Sequence, residues 1–127
     1  MAAAPAINHV TAHEATIRTS TAEIARMVSD VLTRDLTAYM VKVSDPGTIN
    51  RWIGEQAKPR TKSEQKLRLT YEIIHLLRAA EHSDETVRAW FLGLNPHLDD
   101  DPPAEAIREG RLKETLAAAR AFIAGSY

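Results

Sequence analysis

The residues of this chain that could do chemistry fall into three groups. Asp99, Asp100 and Asp101 stand in a row, and clustered carboxylates are what hard cations take as ligands. Consecutive acids lack the alternating spacing of a calcium loop, so solvated loop acids are the expectation. His9 and His13 share four-residue helical spacing, whereas His75, His82 and His97 show no ligand spacing between them. With no cysteine in 127 residues, disulfides, thiolate zinc and a cysteine nucleophile are excluded. No glycine-rich phosphate loop, nucleophile elbow or His-Glu pair at zinc-protease spacing occurs. The expectation is a protein that is not an enzyme and takes no metal or cofactor.

The third group suits recognition. Thr48, Asn50 and Arg51 are polar neighbours in one short segment, and Asn and Arg are the usual readers of adenine and guanine edges. Lys58, Arg60 and Lys62 follow as candidate phosphate contacts. The bland alternatives are a solvated helix face for the first three and a basic linker for the rest. Formal net charge is only -1, but it is unevenly spread. Between 51 and 68 six cations stand against Glu55 and Glu64, while from 83 onward five cations stand against eight acids. The two halves are expected to meet different partners.

Periodicity supplies the framework for these side chains. Residues 1–19, rich in Ala and Thr without a sustained apolar period, read as a mobile N-terminal arm. Ser20 and Glu23 have capping-box spacing, and Ile24, Met27, Val28, Val31 and Leu32 then recur at helical intervals. Thr33 can cap a second short helix through Leu36 and Met40. Asp45 and Pro46 open a third that carries Ile49, Trp52 and Ile53 inward and stops at Gly54. A long helix from about Ser63 to Glu81 has an apolar face broad enough to pack on two sides. Ser83 or Asp84 caps a helix with Val87, Trp90 and Phe91, ended by Gly93. A proline-stiffened loop, a short helix from Pro103 to Gly110 and a last helix with Leu112, Leu116, Ala119, Phe122 and Ile123 complete the chain. Nothing alternates with period two. The fold class expected is all-α, one unit built as an arm (1–19), a helix-turn-helix-like bundle (20–82) and a C-terminal helical module (83–127).

No apolar run approaches the roughly 20 residues of a membrane span, and the start lacks the basic and apolar regions of a signal peptide, so a cytoplasmic protein with no membrane partner is expected. Trp52 and Trp90 fall on apolar faces and are expected in the core. Asn95 and Pro96 read either as an interface loop or as a helix-terminating turn in which Asn bonds its own backbone.

Two short helices joined by a tight turn, with polar residues leading the second, is the pattern that places a helix in the DNA major groove. Thr48 to Glu55, followed by Lys58 and Pro59, resembles the recognition-helix region of Xre-type regulators. Ala89 to Leu98, with Trp90, Asn95, Pro96 and Leu98, then Pro102 or Pro103, Ile107, Gly110 and a last helix closing at Gly125, resembles the toxin-binding domain of the Xre/MbcA/ParS antitoxins. Together the two matches run from about residue 33 to the end. The resemblance implies a cognate RES-type toxin that degrades NAD, held inactive by the antitoxin's C-terminal region over its active site. It also implies autorepression on operator DNA by a homodimer or a larger assembly with the toxin. Trp90, Asn95, Pro96, Leu98, Arg111, Phe122, Ser126 and Tyr127 are the candidate toxin contacts, and removing the chain from Gly110 onward is expected to abolish neutralisation while the N-terminal half stays folded. The alternative is a stand-alone helix-turn-helix regulator without a toxin.

This chain departs from the family at two glycines. Where the family often has Gly before the turn, Lys42 stands, which demands a left-handed backbone under a side chain or a different turn. The glycine that commonly follows the Asn-Pro-x-Leu stretch is replaced within Asp99 to Asp101.

Overall fold

The structure is a computed structural model that describes residues 9–125, with the side chains of 12–125. These residues form an all-helical fold. In chain order the helices are α1 (His9–Arg18), α2 (Thr21–Leu32), α3 (Arg34–Val41), α4 (Gly47–Ile53), α5 (Thr61–Ala79), α6 (Asp84–Leu92), α7 (Pro103–Arg108) and α8 (Leu112–Ile123), with a 3₁₀ turn at Pro96–Leu98. No strand occurs among the described residues, and no helix is long and apolar enough to cross a membrane.

Local chemistry fixes most boundaries. The Ser20, Thr33 and Ser83 hydroxyls accept from the backbone N–H of Glu23, Leu36 and Thr86, each satisfying one orphan donor at a helix start. Of the anticipated capping box only this half is made, because the Glu23 carboxylate turns to Arg26 at 3.0 Å. Asp45 Oδ1 accepts from Gly47 N at 2.8 Å and so opens α4.

Helix α5 is the axis of the molecule, packing against α1, α2, α3, α6, α7 and α8. Its Leu67, Ile73, Ile74, Leu76 and Leu77 are wholly buried. Burying each such side chain is worth about 1.5–3 kcal/mol, so this one helix anchors both ends of the chain. Apart from Leu76, these residues belong to a single apolar cluster that runs from Ile24 in α2 to Ala119 in α8. The boundary at 82/83 therefore separates segments of sequence that share one core. Removing the chain from Gly110 onward takes α8 away from α5, so the N-terminal half is expected to lose part of its core.

The segment read as an arm contains α1, and this corrects that expectation. The helix lies on α5 through small residues: Ala12 and Thr16 are buried while Ile17 is largely exposed. Arg68 of α5 donates to the Thr16 and Thr19 carbonyls at 2.7 and 3.2 Å, tying down the helix C-terminus. A buried face of Ala and Thr produces no large-apolar periodicity, which is why the sequence pattern missed it.

Lys42 ends α3 in the left-handed conformation, φ 63° and ψ 47°. The turn thus carries backbone strain, which for a residue with a Cβ is about 1–2 kcal/mol. Glycine removes that strain but gives up roughly 0.5–1 kcal/mol in the greater freedom of its unfolded chain. Lys42→Gly is expected to stabilise by about 0.5–1 kcal/mol net; an unchanged or lower midpoint in chemical denaturation would contradict the strain at this turn.

Burial also sets a pH response. The His75 ring meets Tyr71 edge-on at 4.6 Å, and its Nε2 is buried without a partner among the described residues. Desolvation, with Arg78 nearby, pushes its pKa below the ordinary 6.5. The folded state then binds fewer protons than the unfolded one as pH falls through 6.5, so stability declines on that acid side. His75→Phe keeps the ring contact and removes the titration. Denaturation midpoints at pH 7 and pH 5.5 should differ less for this variant than for the parent chain.

Candidate functional site

The end of α6 and the loop after it build the most distinctive surface. Gly93 N donates to Ala89 O at 2.9 Å, closing the helix. Asn95 then organises the reversal, its side-chain oxygen accepting from His97 N at 2.9 Å and its carbonyl from Leu98 N and Asp100 N. Asn95 is buried, so the helix-terminating-turn reading describes its geometry. Leu98 is wholly buried and anchors this turn in the core, which removes it from direct contact with any partner. Pro96 is exposed at the apex.

Between this turn and α8 lies a cleft of about 140 Å³ lined by Trp90, Gly93, Leu94, Asn95, Ala118 and Phe122. Trp90 is only 8% exposed. Its ring packs edge-on to Phe91 at 5.1 Å and tilts toward Phe122 at 6.3 Å, so it belongs to the core as expected and also forms a wall of the cleft. Its indole Nε1 is buried and has no hydrogen-bond partner among the described residues. Leu94 is 75% exposed beside the cleft and Leu92 is 57% exposed at the end of α6. Leu92 and Leu94 were not anticipated as contacts, since nothing in helical periodicity predicts large apolar side chains left in solvent.

The acidic row has a structural partner. Arg111, at the start of α8, reaches Asp101 at 2.9 Å, Glu114 at 3.3 Å, Asp99 at 3.5 Å and Glu109 at 3.6 Å. This guanidinium holds the loop against α8 while its side chain stays about one-fifth exposed. Asp99 and Asp100 carry positive φ of 57° and 66°, a conformation Asp tolerates better than most residues, so they make the turn without glycine. Among the described residues no group of three or more His, Asp or Glu side chains is placed to hold a metal. Ser126 and Tyr127 lie outside the described residues.

The six residues with a proposed affinity for DNA are divided among separate places. On α4, Ile49 and Trp52 are buried while Asn50 and Arg51 face outward. Arg51 donates to Thr48 Oγ1 at 2.9 Å and lies 3.9 Å from Asp45, and Arg34 Nε donates to Asn50 Oδ1 at 2.6 Å. Arg34 thereby joins the polar face of α4 from 16 residues away, a contact that sequence spacing does not reveal. Lys58 lines a second cleft that also contains the acids Glu55 and Glu64. Arg60 is exposed immediately before α5, and Lys62 belongs to a third cleft at the other end of the α3–α4 turn. Comparison with family models, with curated proteins and with solved structures found no match.

Proposed function

We propose that this chain is the antitoxin of a type II toxin-antitoxin pair, silencing a RES-type NAD-degrading toxin by lying over its active site. The observation that carries this reading is the cleft beside α6. A buried indole N–H without an acceptor costs about 1–3 kcal/mol, and exposed leucines beside a cleft are what a desolvated contact consumes. A partner that covers Leu92 and Leu94 buries both leucines, and one whose docking shifts the Trp90 ring can also place a carbonyl or carboxylate against Nε1. These residues fall within the stretch that resembles the Xre/MbcA/ParS toxin-binding domain, and a partner that consumes NAD places the pair in the cytoplasm. The mechanism is steric, with no catalytic step in this chain.

Co-expression with a RES-type toxin tests the proposal. A stable complex by pull-down, with cellular NAD spared, is the expected result; a toxin that keeps depleting NAD in the presence of this chain would sink the idea.

The outward polar face of α4 favours a second activity, autorepression on operator DNA, which is also what a stand-alone regulator would need. Base recognition requires Asn50 and Arg51 to exchange their present intramolecular partners for DNA. Arg51→Ala is expected to lower duplex affinity by about 1–3 kcal/mol if the residue reads a guanine. If it meets a phosphate instead, the salt slope falls by about one. Equal affinity for any duplex, with neither change, would leave α4 as a solvated face.

A further inference from the structure

A different surface gathers charge of one sign. Lys42 at the end of α3, Lys62 and Lys66 in the first turns of α5, and Arg108 at the end of α7 line one cleft of about 440 Å³. Among the described residues none of the four takes part in an ion pair, and the one carboxylate in the cleft, that of Glu109, is turned to Arg111 at 3.6 Å.

Lys66 is the informative member. It is only 8% exposed, and its ammonium donates once, to the Arg108 carbonyl at 2.7 Å. An ammonium has three donors, so two have no acceptor among the described residues, in a side chain that is almost wholly buried. Burial first, then Lys42, Arg108 and Lys62, push its pKa below the usual lysine range. Arg108 is held in place by donating to Tyr39 O at 2.6 Å and stacking over the Tyr39 ring at 4.4 Å. Tyr39 in turn bonds Glu105. The cleft is therefore organised before any ligand arrives, and its surplus of four cations over one carboxylate concentrates anions.

We propose that this cleft binds a phosphate group. A phosphate carries nearly two negative charges and three strong acceptors, which matches the surplus of cations and the unused donors of Lys66 better than a single carboxylate does. The cleft is large enough for a phosphate with a substituent attached, since small-molecule sites typically occupy about 300–1,000 Å³. The proposal is independent of the toxin reading and does not involve Thr48, Asn50 or Arg51.

Calorimetric titration of the full chain with inorganic pyrophosphate, against sodium chloride at equal ionic strength, provides the test. Saturable binding is expected, weakened about tenfold by Lys62→Glu, which replaces attraction with repulsion at close range. That substitution leaves folding intact, because Lys62 is exposed and an acid in the first turn of a helix is favourable. Lys42→Gly should weaken binding in the same direction while stabilising the fold, so a loss of affinity cannot be ascribed to unfolding. No saturable binding at millimolar pyrophosphate, or equal affinity in Lys62→Glu, overturns the proposal. A 20-base-pair duplex added to the complex then identifies the source: displacement assigns the phosphate to a nucleic-acid backbone, and retention of pyrophosphate assigns it to a free phosphate compound.

Discussion

A chain cut after Gly110 will lose cooperative folding throughout, including in the segment from Ser20 to His82 that remains intact in sequence. Helix α8 contributes Ala118 and Ala119 to the core and packs Leu112, Leu116, Phe122 and Ile123 against it. Even at half burial these four large side chains are worth about 1 kcal/mol each or more. Their removal also uncovers the apolar face of α5 that they cover. A domain of this size has roughly 5–15 kcal/mol of net stability, so the loss is comparable with the whole. Circular dichroism during heating should show a broad, non-cooperative decline for the cut chain and a sharp transition for the parent. A sharp transition in the cut chain would mean that α8 is an appendage after all. Loss of toxin neutralisation in a truncated chain accordingly says little about contacts, and point substitutions on the surface are the informative probes.

The strongest of those is Leu94→Asp. The side chain is 75% exposed in the free chain, so folding should be nearly indifferent to the change. In the proposed complex it would be desolvated beside the Trp90 cleft, and an unpaired charge there should cost about 2.7 kcal/mol or more, a hundredfold in affinity. Trp90→Phe adds a second reading of the same surface. It deletes a buried donor that has no partner among the described residues, so stability should not suffer from the lost N–H. It should still weaken the complex by about tenfold if the partner supplies the acceptor. Calorimetry with a RES-type toxin measures both. Wild-type affinity in Leu94→Asp, with the melting temperature unchanged, would remove this surface from consideration.

The helices were legible because their signals are local. Hydroxyl caps at Ser20, Thr33 and Ser83, glycine stops at Gly54, Gly93 and Gly110, and the apolar face of α5 each depend on residues a few positions apart, and the all-α fold follows from them. Helix α1 was not legible because its buried face is Ala and Thr, whose packing depends on Arg68 and Tyr71 about 50 residues away. The candidate sites were legible only in outline. Trp90, Asn95 and Phe122 do converge on one cleft, whereas Leu98 is wholly buried and Arg111 pairs with the acids of its own loop, neither of which spacing reveals. Arg34 beside Asn50, and Lys42 beside Lys62, Lys66 and Arg108, come together through tertiary packing that no spacing rule encodes. At Lys42 the sequence left two turn geometries open and the left-handed one is adopted, whereas the left-handed backbone of Asp99 and Asp100 was not legible in the sequence.

That habit of turning without glycine bears on the order in which the molecule assembles. Thr33, Lys42, Glu55, Glu81, Asp99 and Asp100 all carry positive φ under a side chain, and they sit at or near the ends of α2, α3, α4, α5 and the 3₁₀ turn. Unfolded residues of these types visit that region rarely, at about 1–2 kcal/mol each. The reversals therefore gain little from forming alone and are stabilised once the flanking helices have met. Docking of α2 and α8 onto α5 should lead and the corners should close behind them, so substitutions at these six positions will change the unfolding rate and leave the folding rate nearly untouched.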